Sequence, residues 1–155
     1  MILRLIEASQ PLSSSEDRAV YHSDIDDGDD ESYQDIIQAF FRRSLYRSVD
    51  ALVQASRGEG WGRPHQEAMS MSLPVIATNW SGTMAFMTET NSFLVPVQRM
   101  ETLAVGPFKG HQWAIPSVVE LRKILRAAVT YPERGRDVGL QARKDIWWRR
   151  ILLSM

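Results

Sequence analysis

The segment Arg57–Met71, RGEGWGRPHQEAMSM, holds the residues best suited to chemistry. Gly58, Gly60 and Gly62 let backbone approach a ligand closely. A helix starting just after them adds unpaired N–H groups and a positive dipole end, which suit a diphosphate. Two carboxylates frame this loop: Glu59 lies within it, and Glu67 follows eight positions later. Carboxylates repel phosphate but accept hydrogen bonds from hydroxyls. Amides for a diphosphate beside carboxylates for sugar diols make a coherent site for a nucleotide sugar. Simpler readings stand beside this one. A plain tight turn accounts for the glycines equally well. Glu67, placed in the first turn of the following helix, suits dipole compensation, and Glu59 reads as an ordinary loop carboxylate. The loop is not GxGxxG, because Arg63 takes a glycine position, and no GK[ST] follows it.

The elements around this loop must position it. ALVQA at 51–55 predicts a buried strand leading in, and Pro64 suits the first turn of the helix leading out. VIAT after Pro74 predicts a second strand, NWSG a turn, and FLVPV at 93–97 a third strand. Strands alternating with helices predict that these three lie parallel in one sheet. Ile36, Ile37, Phe40, Phe41 and Leu45, behind Ser32 and Asp35, predict a helix over 33–47. Residues 98–116, punctuated by Gly106–Pro107, Gly110 and Pro116, read as a long irregular connection. Ser117 and Glu120 fit a capping box for a helix whose apolar stripe is Val118, Leu121, Ile124, Leu125, Ala128 and Val129. Tyr131–Pro132 ends it, and a last helix is predicted over 133–148. Met69, Met71, Met84 and Met87 read as core filling, and His65 as a solvent-facing first-turn side chain.

Composition bounds the function. The chain has 155 residues, no cysteine, 44% apolar and 24% charged residues. That length suits one domain burying ~70% of its unfolded surface. Without cysteine there is no disulfide framework, thiolate nucleophile or Cys-based zinc site. No apolar run approaches the ~18 residues of a membrane span. MILRLIEASQ is too short and too quickly polar for a secretory signal, so the expected location is cytoplasmic. The net charge of −1 hides an asymmetry: residues 1–35 carry −8 and residues 36–155 carry +7. Fifteen of the eighteen basic residues are Arg, which suits bidentate phosphate contacts, although solvated helix faces explain them too.

ILRLI at 2–6 predicts a short strand. Residues 9–31 are polar, with the acidic run Asp24–Glu31, and read as a flexible segment with too little apolar surface for a core. A calcium loop is the wrong reading, since Gly28 is the fifth position from Asp24 and the twelfth is Asp35. His22, His65 and His111 lack metal-ligand spacing. Trp147–Trp148 with Arg149–Arg150 read as a partly exposed apolar terminus. A glycosidase using Glu59 and Glu67 as its carboxylate pair is a distant alternative. Nucleic acid is not an expected partner, because aromatic and basic residues do not interleave.

From Ser44 to Gly82, SLYRSVDALVQASRGEGWGRPHQEAMSMSLPVIATNWSG resembles the donor-binding half of the group 1 family of retaining, GT-B type glycosyltransferases. That family carries a segment like EGFGLPxxEAMAxGxPVIAT. Glu59 and Glu67 match its two glutamates. Gly60, Trp61, Gly62 and Pro64 match its glycine, aromatic and proline positions, and Ala68, Met69, Pro74, Val75, Ile76 and Ala77 match the rest. GPFKGHQWAIPS at 106–117 is similar to a eukaryote-type branch, and the resemblance spans roughly 44–145. Ser72 stands where the family has a helix-ending Gly, and Met84–Ala85 where it has Pro-Glu.

The resemblance implies an α/β, Rossmann-like parallel sheet flanked by helices, a truncated C-terminal half of a GT-B fold. Composition sets apart a short strand plus acidic flexible segment over 1–31, and the resemblance implies a partial nucleotide-sugar-binding, Rossmann-like domain over 32–155. Glu67 would bind ribose hydroxyls and Glu59 the donor sugar, with Gly58, Gly60, Trp61 and Gly62 completing the donor site. No metal or further cofactor is implied. An acceptor-binding N-terminal domain is the expected missing partner, and the isolated chain is expected to be inactive. The alternative is a non-catalytic binding module descended from such a transferase.

Overall fold

Strand residues that alternate between two buried faces need helices on both sides of a sheet, and this chain provides them. The structure, a computed structural model, describes residues 2–3 and 43–153. The acidic segment and most of the helix predicted over 33–47 lie outside the described residues; within them, residues 43–47 are helical. Strands β1 (Ile2–Leu3), β2 (Ala51–Gln54), β3 (Val75–Thr78) and β4 (Phe93–Val95) form one sheet in that order. β2, β3 and β4 are parallel, as predicted, and β1 joins β2 antiparallel. Helix α1 (Arg63–Ser70) connects β2 to β3. A 3-10 turn at Ser81–Ala85 follows β3.

Leu52, Val75 and Ala77 face one core, with Ala68 and Met69 of α1, Phe86, Met87 and Ala142. Val53, Ile76 and Val95 face the other, against Leu121, Ile124, Leu125 and Ala128 of α2 (Val118–Thr130). The α2 stripe is narrower than its periodicity predicts, since Val118 and Val129 are exposed at the helix ends. The side chain of Ser117 accepts from Glu120 N at 3.3 Å. The capping box is only half formed, because Ser117 N donates to Pro96 and the Glu120 carboxylate pairs with Lys123. The last helix, α3 (Pro132–Leu153), crosses over α1. A Cβ on Gly139 would lie 2.1 Å from Ser72 O, so glycine is what lets α3 approach the α1–β3 connection. Ser72 itself holds φ 60, the left-handed geometry a helix-ending Gly would take. No described helix is long and apolar enough to cross a membrane.

Two expectations need correction. FLVPV is not one strand: Pro96 has no N–H for a ladder, and the chain leaves the sheet after Val95. Residues 98–116 are not irregular either. β5 (Val97–Thr102) and β6 (Gln112–Pro116) pair antiparallel, with a bulge between Val97 and Arg99. The hairpin lacks an alternating apolar pattern because it covers no core of its own. It docks on the loop after β2 instead, where Ala114 N donates to Arg57 O at 2.9 Å. The glycines read as loop punctuation, Gly106 and Gly110, close its tip at φ 87.

Candidate functional site

The β2–α1 and β3–β4 connections leave the carboxyl ends of neighbouring parallel strands, where open α/β sheets bind ligands. Gly62 caps α1 at φ 84, and its carbonyl accepts from His65 N and Gln66 N. No side chain caps the helix, and the amides of Gly60, Trp61 and Gly62 have no acceptor among the described residues. Gly58 and Gly60 are exposed and Gly62 is buried. Trp61 is half-exposed; its indole N–H donates to Gln66 Oε1 at 2.8 Å, and its ring lies 5.7 Å from that of Phe86.

A second wall, read only as a turn from its sequence, comes from Ser81 and Gly82. Gly82 N and Ser81 Oγ both donate to Glu59 O, at 3.0 and 2.6 Å, and Glu59 N donates to Ser81 Oγ at 3.1 Å. The side chain of Glu59 accepts from Gln54 Nε2 at 2.7 Å. Gln54 is the last residue of β2, so the sheet itself orients this carboxylate.

Glu67 is not in the first turn of α1, as expected, because the helix starts at Arg63 and places it beyond that turn. Dipole compensation fades within one turn, so it is a weak account of this residue. Glu67 is half-buried and accepts from the Tyr46 hydroxyl at 3.1 Å. Arg57, on the other side of the loop, lies 5.3 Å over the Trp113 ring and pairs with Glu101 on the hairpin.

His65 also corrects its expectation. It is fully buried rather than solvent-facing, because Gly62 starts the helix with this position turned into the protein. Neither ring nitrogen has a hydrogen-bond partner. Burial pushes its pKa below the ordinary value of 6.5, against the opposing pull of Glu59 and of the backbone at Gln54 and Gly62. Between the lowered value and 6.5 the unfolded chain binds more protons than the native one, so stability rises with pH in that window. Denaturation midpoints are therefore expected to drop as pH falls below about 6.5, by less in His65→Leu than in the parent chain. An equal drop in both removes His65 as the cause.

Among the described residues no three His, Asp or Glu side chains converge as metal ligands; the Asp24–Glu31 run lies outside them. Tyr46, Gln54 and Ser81 were missed by sequence reasoning. Only Gly82 left a signal, the glycine of NWSG.

Residues 38–107 match the family model of group 1 glycosyl transferases. No curated protein matches the sequence. Among solved structures, HepE from Anabaena in complex with UDP and glucose is similar at 20% identity and a TM-score of 0.52, over 77% of this chain and 31% of HepE. Sucrose-phosphate synthase from Thermosynechococcus elongatus is similar at 19% identity and a TM-score of 0.55, over 81% of this chain and 32% of the synthase. These likenesses show the fold, a parallel sheet flanked by helices. The chain spans about a third of the length of either structure.

Proposed function

We propose that this chain binds the donor of a retaining glycosyltransferase, a nucleotide-diphosphate sugar. The observation that carries this reading is the uncapped Gly60–Gly62 turn, with its amides at the carboxyl edge of the sheet and carboxylates on either side. The match of residues 38–107 to the group 1 family supports it, and HepE, solved with UDP and glucose, shares the fold.

In this reading the amides of Gly60, Trp61 and Gly62 and the start of α1 receive the diphosphate, with Gly58 giving the loop its close approach. Glu67 accepts from the ribose hydroxyls, and Glu59, oriented by Gln54, accepts from the donor sugar. The acceptor hydroxyl attacks the anomeric carbon from the face that the diphosphate leaves. The C–O bond pair departs with the nucleoside diphosphate, and the hydroxyl proton passes to the leaving phosphate oxygen. Backbone dipoles stabilise the leaving charge, so this route requires no metal or further cofactor. The acceptor is held by a second domain, since positioning both reactants supplies ~7–11 kcal/mol of barrier reduction. The 155-residue chain alone is expected to show no transfer.

Glu67→Gln tests the site. It keeps the shape and the Tyr46 contact but weakens the acceptor, and charge-assisted contacts contribute roughly 1.5–3 kcal/mol. UDP-glucose affinity measured by calorimetry is expected to fall about tenfold or more, with little change in thermal stability. Unchanged affinity with a clear stability loss removes Glu67 from the donor site and leaves it a structural partner of Tyr46.

A further inference from the structure

The buried imidazole of His65 has no structural employment. A core position at no exposure favours an apolar side chain, and a ring with two unpartnered nitrogens costs stability there. The ring lies directly beneath the turn described above: a Cβ built on Gly62 would be 2.9 Å from Nδ1 and 2.6 Å from the Thr83 methyl. The carbonyls of Gln54 and Gly62 lie near it without forming hydrogen bonds, and Glu59 is the only charge among the described residues that acts on it. Arg57 of the loop faces the hairpin, Arg63 of the same helix is exposed, and Glu67 is turned to Tyr46. The 3-10 turn that packs on Gly62 contributes no ionisable side chain.

We propose that His65 is a positioning residue of the nucleotide-sugar site, taking up a proton when the donor diphosphate binds above it. This inference rests on the donor-binding reading. In the empty protein, burial and the positive end of α1 both keep the ring neutral. A diphosphate at the Gly60–Gly62 amides reverses the local potential. The protonated ring then has two N–H donors, with the Gln54 and Gly62 carbonyls as acceptors and Glu59 as counter-charge. Those bonds tie the first turn of α1 to the end of β2 and fix the loop around its ligand. The donor therefore binds more tightly as pH falls from 8 towards 6, while the empty fold weakens only once the pH passes below about 6.5.

UDP-glucose is the probe, because its phosphates are diesters and do not titrate near neutrality. Calorimetry of the full chain in buffers of different ionisation enthalpy is expected to show net proton uptake on binding. The affinity is expected to fall about tenfold from pH 6 to pH 8. His65→Gln and His65→Leu should bind without uptake and with a flat pH profile. The His65 ring resonances of the parent chain, followed by NMR titration, should move to a higher pKa with UDP-glucose present, a readout that needs no variant. Binding without proton uptake, or uptake that persists in both variants, overturns this inference and leaves the donor site standing. No binding of UDP-, GDP- or ADP-glucose anywhere between pH 5.5 and 8 overturns the donor-binding reading and this inference with it.

Discussion

Gly82→Ala is expected to force apart the two loops at the carboxyl edge of the sheet. A Cβ there would lie 2.0 Å from Gly60 O, 2.6 Å from Gly60 C and 2.8 Å from Glu59 O. All three are backbone atoms, so no side chain can swing away to make room. The loop must move, and the bonds from Gly82 N and Ser81 Oγ to Glu59 O go with it. Overpacking costs typically ~1–3 kcal/mol, and a clash with fixed backbone belongs at the upper end. The same shift displaces the Gly60–Gly62 amides, so UDP-glucose binding should be lost even in molecules that remain folded. Gly60→Ala is the internal comparison. Its Cβ would meet nothing within 4 Å, and φ there is not positive, so stability should change by under ~1 kcal/mol. Equal midpoints for the two variants in urea unfolding sink the claim that Gly82 locks the loops.

Phe86→Ala should carry the largest stability loss of any single site change considered. Phe86 is 1% exposed and, among the described residues, is the largest fully buried side chain. It fills the core between α1 and the sheet, and its ring also backs Trp61 on the loop. Truncating a buried Phe costs ~3–5 kcal/mol in lost transfer energy and residual cavity. At ~2–4 °C per kcal/mol for a domain of this size, the melting temperature should fall on the order of ten degrees. Phe86→Leu keeps most of the volume and should lose under half as much. Trp61 fluorescence should redden in the alanine variant as the indole loses its backing. A loss below ~1 kcal/mol for Phe86→Ala contradicts the core assignment.

Elements specified by neighbouring residues were legible in the sequence. ALVQ and VIAT read as buried strands because both faces of a covered parallel sheet are apolar. Pro64 and the glycines before it marked the start of α1, and Ser117 marked the start of α2. The candidate site was legible to the same extent: Gly58, Glu59, Gly60, Trp61, Gly62 and Glu67 all lie on or beside one strand–loop–helix unit.

What only the tertiary structure decided are the contacts between that unit and distant chain. The β5–β6 hairpin pairs through backbone and docks on Arg57, so its side chains carry no alternating signal. Tyr46 finds Glu67 across 21 positions, and Ser81 finds Glu59 across 22, through bonds that no local spacing encodes. His65 shows the reason most clearly. The step from Gly62 into α1 sets which way the third residue of the helix points, but whether that direction is solvent or core depends on what packs there. Thr83 arrives from beyond β3 and sets its methyl beside the ring at Gly62, in a place where no side chain is exposed, and so a residue whose type alone suggests the surface is buried.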